Sequence, residues 1–130
     1  MAERLLIVDD DLDTLRLIGL MLERQGYEII AASNGKQALD LAKSELPDLI
    51  ILDVMMPDLD GYEVARRLRA DEDTLKIPII MFTAKSQMDD RVTGIEAGAD
   101  AYLTKPTQPR ELFAHIKAML ARRQKIQQKA

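Results

Sequence analysis

Asp48-Leu-Ile-Ile-Leu-Asp53-Val-Met-Met-Pro57-Asp-Leu-Asp-Gly61 sets a short aliphatic run between turn-forming residues. Its aliphatic residues, Leu49 to Leu52, run without a polar break into a single carboxylate, and a Pro/Asp/Gly loop follows. A short aliphatic run between turn residues predicts a strand buried on both faces, as in a parallel sheet. Asp53 then lies where the strand leaves the core. In open α/β sheets, ligands bind at the carboxyl ends of the strands. Most aspartates after a strand cap a helix or make a turn, so Asp53 alone decides nothing.

The same pattern recurs elsewhere in the chain. Arg4-Leu-Leu-Ile-Val-Asp9 is a second aliphatic run that ends in acid, here Asp9-Asp10-Asp11. Leu12 to Gln25 carries apolar residues at 12, 15, 18 and 22, a helical stripe; Asp11 or Asp13 can cap it and Gly26 can close it. Tyr27 to Ala32 reads as a strand and Asn34-Gly35 as a turn. Lys36 to Glu45 reads as a helix around Ala38, Leu39 and Ala42, stopped by Pro47. Gly61 to Ala70 is a third helix, with Arg66, Arg67 and Arg69 expected on a solvated face. Ile77 to Phe82 is a buried strand that ends at Thr83. A helix over Met88 to Ala97 (α4) stops at Gly98, and Ala101 to Thr104 (β5) leads to Lys105-Pro106. Pro109 opens a last helix (α5) packed through Leu112, Phe113, Ile116, Met119 and Leu120. Strands alternating five times with helices predict a doubly wound (βα)5 α/β domain with a five-stranded parallel sheet.

The bulk properties agree. A chain of 130 residues that is 47% apolar and 31% charged suits one globular domain rather than a disordered segment. Without cysteine there is no disulfide framework and no thiolate site, which fits a reducing compartment. No apolar run approaches the ~20 residues of a membrane span, and the N-terminus carries no signal-peptide pattern, so a cytoplasmic protein is expected. Four bases and no acid fall in residues 121–130, leaving the body strongly acidic, which argues against direct nucleic-acid binding. The expected division is a domain over 1–121 and a basic helix extension or linker start over 122–130.

In the predicted fold Asp9, Asp10, Asp53, Thr83 and Lys105 each end a strand or follow it, and so share one edge. Three neighbouring carboxylates cannot all ionise cheaply without a counter-ion. Oxygen ligands without His or Cys favour Mg²⁺ or Mn²⁺. A carboxylate can also act as a nucleophile toward phosphorus, with Lys105 as a fixed positive partner and Thr83 as a hydrogen-bond donor. The lone His115 reads as a surface or half-buried helix residue, and the seven methionines as core filler.

On these residues the chain resembles the receiver domain of bacterial two-component response regulators across residues 3–121. The matching pieces are Val8-Asp9-Asp10, Leu52-Asp53-Val-Met-Met-Pro57-x-x-Asp60-Gly61, Phe82-Thr83-Ala84, Gly98-Ala99-Asp100 and Tyr102-x-x-Lys105-Pro106. The resemblance implies a flavodoxin-like sheet of order 2-1-3-4-5 and phosphorylation of Asp53 by a sensor histidine kinase or phosphotransfer protein. It implies Mg²⁺ held by Asp10, Asp53 and the Met55 carbonyl, with Asp9 acting through water. It also implies a switch through Thr83 and Tyr102, and a cis Lys105-Pro106 peptide. The product would be a signalling domain that promotes its own phosphoryl transfer and dephosphorylation and relays its state to an effector or partner protein.

Two rivals fail on the residues. Aspartate-nucleophile phosphatases of the haloacid dehalogenase type need a second Asp two places after the nucleophile; here Met55 follows Asp53 and Leu12 follows Asp10. An EF-hand on Asp9, Asp11 and Asp13 would have Thr14 and Leu20 where Gly and Glu belong.

The chain also departs from its family. Thr107 replaces the usual Phe after Lys-Pro, and Gln108 stands where a stronger cap is common. Arg91, Glu96, Asp100, Glu111 and Lys117 match charges through which the winged-helix transcription-factor branch dimerises by α4-β5-α5. Ala101 and His115 replace one further Asp/Arg pair. A monomer or weak dimer is therefore expected. Thr14, Leu17 and Met21 share a face of the first helix and are expected, with Thr107, to dock a kinase partner. No effector domain is expected within the 130 residues.

Overall fold

The computed structural model describes the backbone of residues 2–129 and the side chains of residues 2–123. Five strands alternate with five helices: β1 Arg4–Val8, α1 Leu12–Arg24, β2 Glu28–Ala32, α2 Gly35–Glu45, β3 Leu49–Leu52, α3 Gly61–Ala70, β4 Ile79–Thr83, α4 Met88–Ala97, β5 Ala101–Thr104 and α5 Pro109–Lys129. All pair in parallel in the order β2-β1-β3-β4-β5. The central registers, Leu6 opposite Ile50 and Ile50 opposite Ile79, stack the aliphatic runs side by side.

Strand alternation sends these side chains into two cores. Leu6, Val8, Ile50, Leu52, Ile79 and Met81 meet α2 and α3 through Ala38, Ala42, Val64, Ala65 and Leu68. Leu5, Ile7, Leu49, Ile51 and Ile80 meet α1 and α5 through Leu15, Ile18, Leu22, Leu112, Ile116 and Leu120. Each fully buried Leu or Ile contributes about 1.5–3 kcal/mol relative to exposure, so both faces of the sheet are strongly specified.

The helix starts follow from their caps. Asp11, Asn34 and Asp60 each accept a backbone N–H of the following turn. Gly26 (φ 97°) ends α1 in the left-handed region that glycine adopts without strain.

Three expectations need correction. β4 begins at Ile79, two residues later than Ile77, because Ile77 N–H turns back to Thr74 O and Pro78 has no N–H to donate. Leu12 is 61% exposed, and the inward stripe of α1 is Leu15, Ile18, Gly19 and Leu22. In the first turn Leu12 instead flanks a shallow groove with Arg16, Leu20 and Ile29. Arg69 is no solvated residue: it is bound by three carbonyls and a carboxylate, whereas Arg66 and Arg67 are exposed as expected.

α5 runs helically to Lys129, and Arg123 within it pairs with Asp48 at 2.8 Å. The Lys125 and Lys129 side chains and Ala130 lie outside the described residues.

Candidate functional site

The carboxyl ends of β1, β3, β4 and β5 converge on one crevice. Asp9 N–H extends the β1–β2 ladder to Ala32 O, and Asp53 N–H extends the β1–β3 ladder to Val8 O, so both aspartates are fixed by the sheet itself. The loop after Asp53 is equally constrained. Gly61 N–H donates to Val54 O, and a Cβ at Gly61 would collide with the Asp53 carbonyl. Only glycine lets α3 begin this close to the end of β3. Asp58 in this loop takes a left-handed conformation (φ 68°), which Asp tolerates better than most residues.

Ligand oxygens of Asp9, Asp10 and Asp53 all lie within 4.8 Å of one another. Asp9 and Asp53 are nearly buried, 3% and 7% exposed, while Asp10 faces outward. Lys105, delivered by β5, sets its ammonium 2.6 Å from Asp9 Oδ2 and 3.7 Å from Asp53 Oδ2, and 5.4 Å from the centre of the Phe82 ring. Asp9 Oδ1 accepts Asp11 N–H at 2.9 Å, so both its oxygens are engaged. Asp53 Oδ1 faces Met55 N–H at 3.3 Å. Burial pushes the Asp53 carboxyl above the usual carboxylate range; Lys105 opposes this, Asp9 adds to it, and the Thr83 hydroxyl and Met55 N–H pull it back.

Thr83 is fully buried at the end of β4; its carbonyl accepts Lys105 N–H and its hydroxyl faces Lys85 N–H at 3.4 Å. The Lys105-Pro106 peptide is cis.

Tyr102 lies beside this edge but under α4. Its hydroxyl donates to Lys85 O at 2.9 Å, and its ring packs on Gly94, where a Cβ would come within 2.7 Å of Cδ2. Burial, with the neighbouring Tyr62 hydroxyl, pushes its phenol well up.

The remaining candidates are spread over the surface. Met55, in the loop after Asp53, and Met88, at the start of α4, are exposed, so these two methionines are not the core filler expected of them. On α1, Leu17 is 60% exposed, and Thr14 and Met21 are half-buried beside it. The Thr107 hydroxyl donates to Glu111 Oε2 at 2.7 Å, tying the residue after the cis proline to the first turn of α5. On the α4-β5-α5 face Met88, Val92 and Ile95 are exposed. The Asp100 carboxylate is held within the chain by Arg69 and Ile79 N–H.

Sequence reading missed Arg69 and Tyr62. Arg69 sits among arginines on an exposed-looking helix end, and Tyr62 looks like ordinary core. Most of their partners are backbone carbonyls, which leave no mark in a sequence.

Comparison with known proteins agrees with this geometry. Residues 5–117 match the family described as the response regulator receiver domain. The alkaline phosphatase synthesis transcriptional regulatory protein PhoP of Bacillus subtilis is 50% identical over 122 residues, covering 94% of this chain and 50% of that protein. The phosphate regulon transcriptional regulatory protein PhoB of Pseudomonas aeruginosa is 49% identical over 121 residues, covering 93% and 53%. The chain thus spans about half the length of these relatives. Among solved structures, a putative response regulator from Chloroflexus aurantiacus superposes with a TM-score of 0.89 at 40% identity, covering 93% of this chain and 99% of that one. The receiver domain of the sensor histidine kinase PA1611 from Pseudomonas aeruginosa, solved with a magnesium ion in its active-site cleft, gives 0.87 at 32% identity, with the same coverage. No helix among the described residues is long and apolar enough to cross a membrane. Fold, strand-end acids and sequence similarity agree that this chain belongs to the response regulator receiver domain family, the phosphoacceptor signalling domains of two-component systems.

Proposed function

We propose that Asp53 accepts a phosphoryl group from the phosphohistidine of a sensor histidine kinase or phosphotransfer protein. A carboxylate oxygen of Asp53 forms the new P–O bond as the P–N bond to histidine breaks, and the imidazole leaves with the electron pair. The observation that carries this reading is the convergence of three carboxylates within 4.8 Å beneath one lysine.

The donor set fits a hard divalent cation, because it offers carboxylate oxygen without imidazole or thiolate and crowds negative charge onto a nearly buried Asp53. Asp10, Asp53 and the Met55 carbonyl would hold Mg²⁺ or Mn²⁺. Asp9, with both oxygens already engaged, suits a contact through water. When bound, such an ion neutralises charge on the phosphoryl oxygens. Lys105 supplies a fixed cation beside Asp53, tethered through Asp9. The Thr83 hydroxyl, buried at the strand end, supplies a donor for a phosphoryl oxygen. The same site promotes later loss of the phosphoryl group to water.

The phosphoryl group adds about −1.5 to −2 charges and strong acceptors. Recruiting Thr83 toward it biases Tyr102 and α4, and the change is read at α4-β5-α5 by an effector or partner protein. The apolar Leu17 and Met21 strip of α1, with Thr107, serves as the kinase-docking surface. With Asp100 engaged internally and no Asp/Arg pair at Ala101 and His115, the domain stays monomeric or dimerises weakly.

Calorimetric titration with Mg²⁺ tests the metal site. The wild type binds, and Asp10→Ala binds at least tenfold more weakly. Equal binding by both would remove Asp10 from the site.

A further inference from the structure

Tyr62, the second residue of α3, is buried next to the acceptor loop, and none of the roles above uses it. Its hydroxyl donates to Asp90 O in the first turn of α4 at 3.1 Å. It also lies 3.5 Å from the Tyr102 hydroxyl, which itself donates to Lys85 O at 2.9 Å. The Lys85 ammonium closes the group, 5.9 Å from the centre of the Tyr62 ring and 3.7 Å from Asp90 Oδ1. On its other side Tyr62 follows Gly61, whose backbone packs against the Asp53 carbonyl and bonds to Val54 O.

We propose that Tyr62 is a positioning residue of the phosphorylation switch: its phenol ties the first turn of α4 to the chain that leaves Asp53, alongside Tyr102. The inference rests on the reading of Asp53 as phosphoacceptor and adds a second route from that residue to α4.

Each phenol has one proton. The Tyr62 proton goes to Asp90 O and the Tyr102 proton to Lys85 O, so none is left for the contact between the two oxygens, which is too long for a strong hydrogen bond in any case. The rings are thus two separate struts, one from α3 and one from β5, reaching two carbonyls of the same β4–α4 segment. The Tyr102 ring lies directly against Gly94, in the space that a Cβ there would fill. A displacement of the acceptor loop is passed to α4 through Tyr62 even where Thr83 does not move.

Tyr62→Phe removes the bond to Asp90 and keeps the ring. The test measures amide hydrogen exchange at Lys85 to Arg91, with and without Mg²⁺ and beryllofluoride, a phosphoryl mimic. Wild type, Tyr62→Phe, Tyr102→Phe and the double variant are compared. A purely structural Tyr62 would change exchange equally in both conditions. The switch role predicts that the added protection conferred by the mimic falls in Tyr62→Phe by up to about fivefold, the bound set by one net hydrogen bond of about 1 kcal/mol. It also predicts that the two tyrosine substitutions are non-additive. If Tyr62→Phe gains as much protection as the wild type, the Tyr62 inference is overturned while the Asp53 reading stands. If the wild type fails to respond to the mimic, the Asp53 reading falls and takes this one with it.

Discussion

Replacing Arg69 with methionine removes four polar contacts and keeps an unbranched stem of similar length. The guanidinium, 21% exposed, donates to Gly98 O at 3.0 Å, Leu75 O at 2.8 Å, Ile77 O at 2.7 Å and Asp100 Oδ2 at 3.0 Å. It thereby fastens the end of α3 to the segment entering β4 and to the α4–β5 turn. Gly98 (φ 121°) makes room for it: a Cβ there would lie 2.5 Å from Arg69 Cγ. Burial pushes the guanidinium down from its ordinary value, and the bonded Asp100 opposes this, so it stays charged at any working pH. Leu75 O lies where water can replace the lost donor. Ile77 O and Gly98 O are partly buried, and each loses about 1–3 kcal/mol when left without a partner. The Asp100 pair adds at most about 1 kcal/mol at its exposure. Arg69→Met should therefore cost about 3 kcal/mol, and lower the melting temperature by about 10 °C for a domain of this size. Urea unfolding followed by far-UV circular dichroism measures it, with the denaturant slope unchanged. A loss under about 1 kcal/mol would show that water satisfies these carbonyls and that the clamp is incidental. Below the melting transition Asp53 labelling should be unaffected.

Other outcomes follow from the site and its surroundings. Burial and Asp9 raise the folded-state pKa of Asp53, so the folded protein holds the Asp53 proton more tightly than the unfolded chain. Stability is thus lost as pH rises from the ordinary carboxylate value through the raised one. Asp53→Asn should accordingly melt higher than the wild type in metal-free buffer at neutral pH, with a gain that shrinks on acidification; a pH-independent gain would assign the effect to something other than charge. Mg²⁺ at about 100 times its dissociation constant should stabilise the wild type by about 2.7 kcal/mol and Asp53→Asn by much less, as read by thermal melts. Gly94→Ala places a methyl 2.7 Å from Tyr102 Cδ2 and 2.9 Å from Met81 Sδ. It should cost about 1–3 kcal/mol and drive Tyr102 outward, seen as sharper response of its ring signals to solvent in ¹³C-labelled tyrosine spectra. Leu17→Glu should slow transfer from a phosphorylated sensor kinase at least tenfold and leave labelling by acetyl phosphate unchanged; equal slowing of both would deny a docking role.

The features legible in the sequence are those the backbone repeats. Aliphatic runs ending in Asp9, Asp53 and Thr83 predict parallel strands with a shared edge, and Asp11 marks the start of α1 because a short polar side chain satisfies the free N–H groups there. Asn34 and Asp60 read in the sequence only as turn and loop residues, yet they cap α2 and α3 in the same way. Topology then brings Asp9, Asp10, Asp53 and Lys105 together without any further information. Other features depend on tertiary placement. Whether Leu12 is buried depends on how far the sheet extends beneath the first turn of α1. Whether Arg69 is solvated depends on three carbonyls from segments up to 29 residues away. Tyr62 and Tyr102 find each other 40 residues apart because α3 and β5 both flank α4.

The measurement closest to the centre of this account is the identity of the labelled residue. Wild type, Asp53→Asn and Asp10→Ala are incubated with acetyl phosphate in Mg²⁺, and with a chelator, and the acyl phosphate is mapped by reductive trapping and peptide mass spectrometry. The site geometry predicts one label, on Asp53, absent from Asp53→Asn, strongly reduced in Asp10→Ala and lost with the chelator. Undiminished labelling of Asp53→Asn, or labelling of the wild type that ignores the metal, would contradict it.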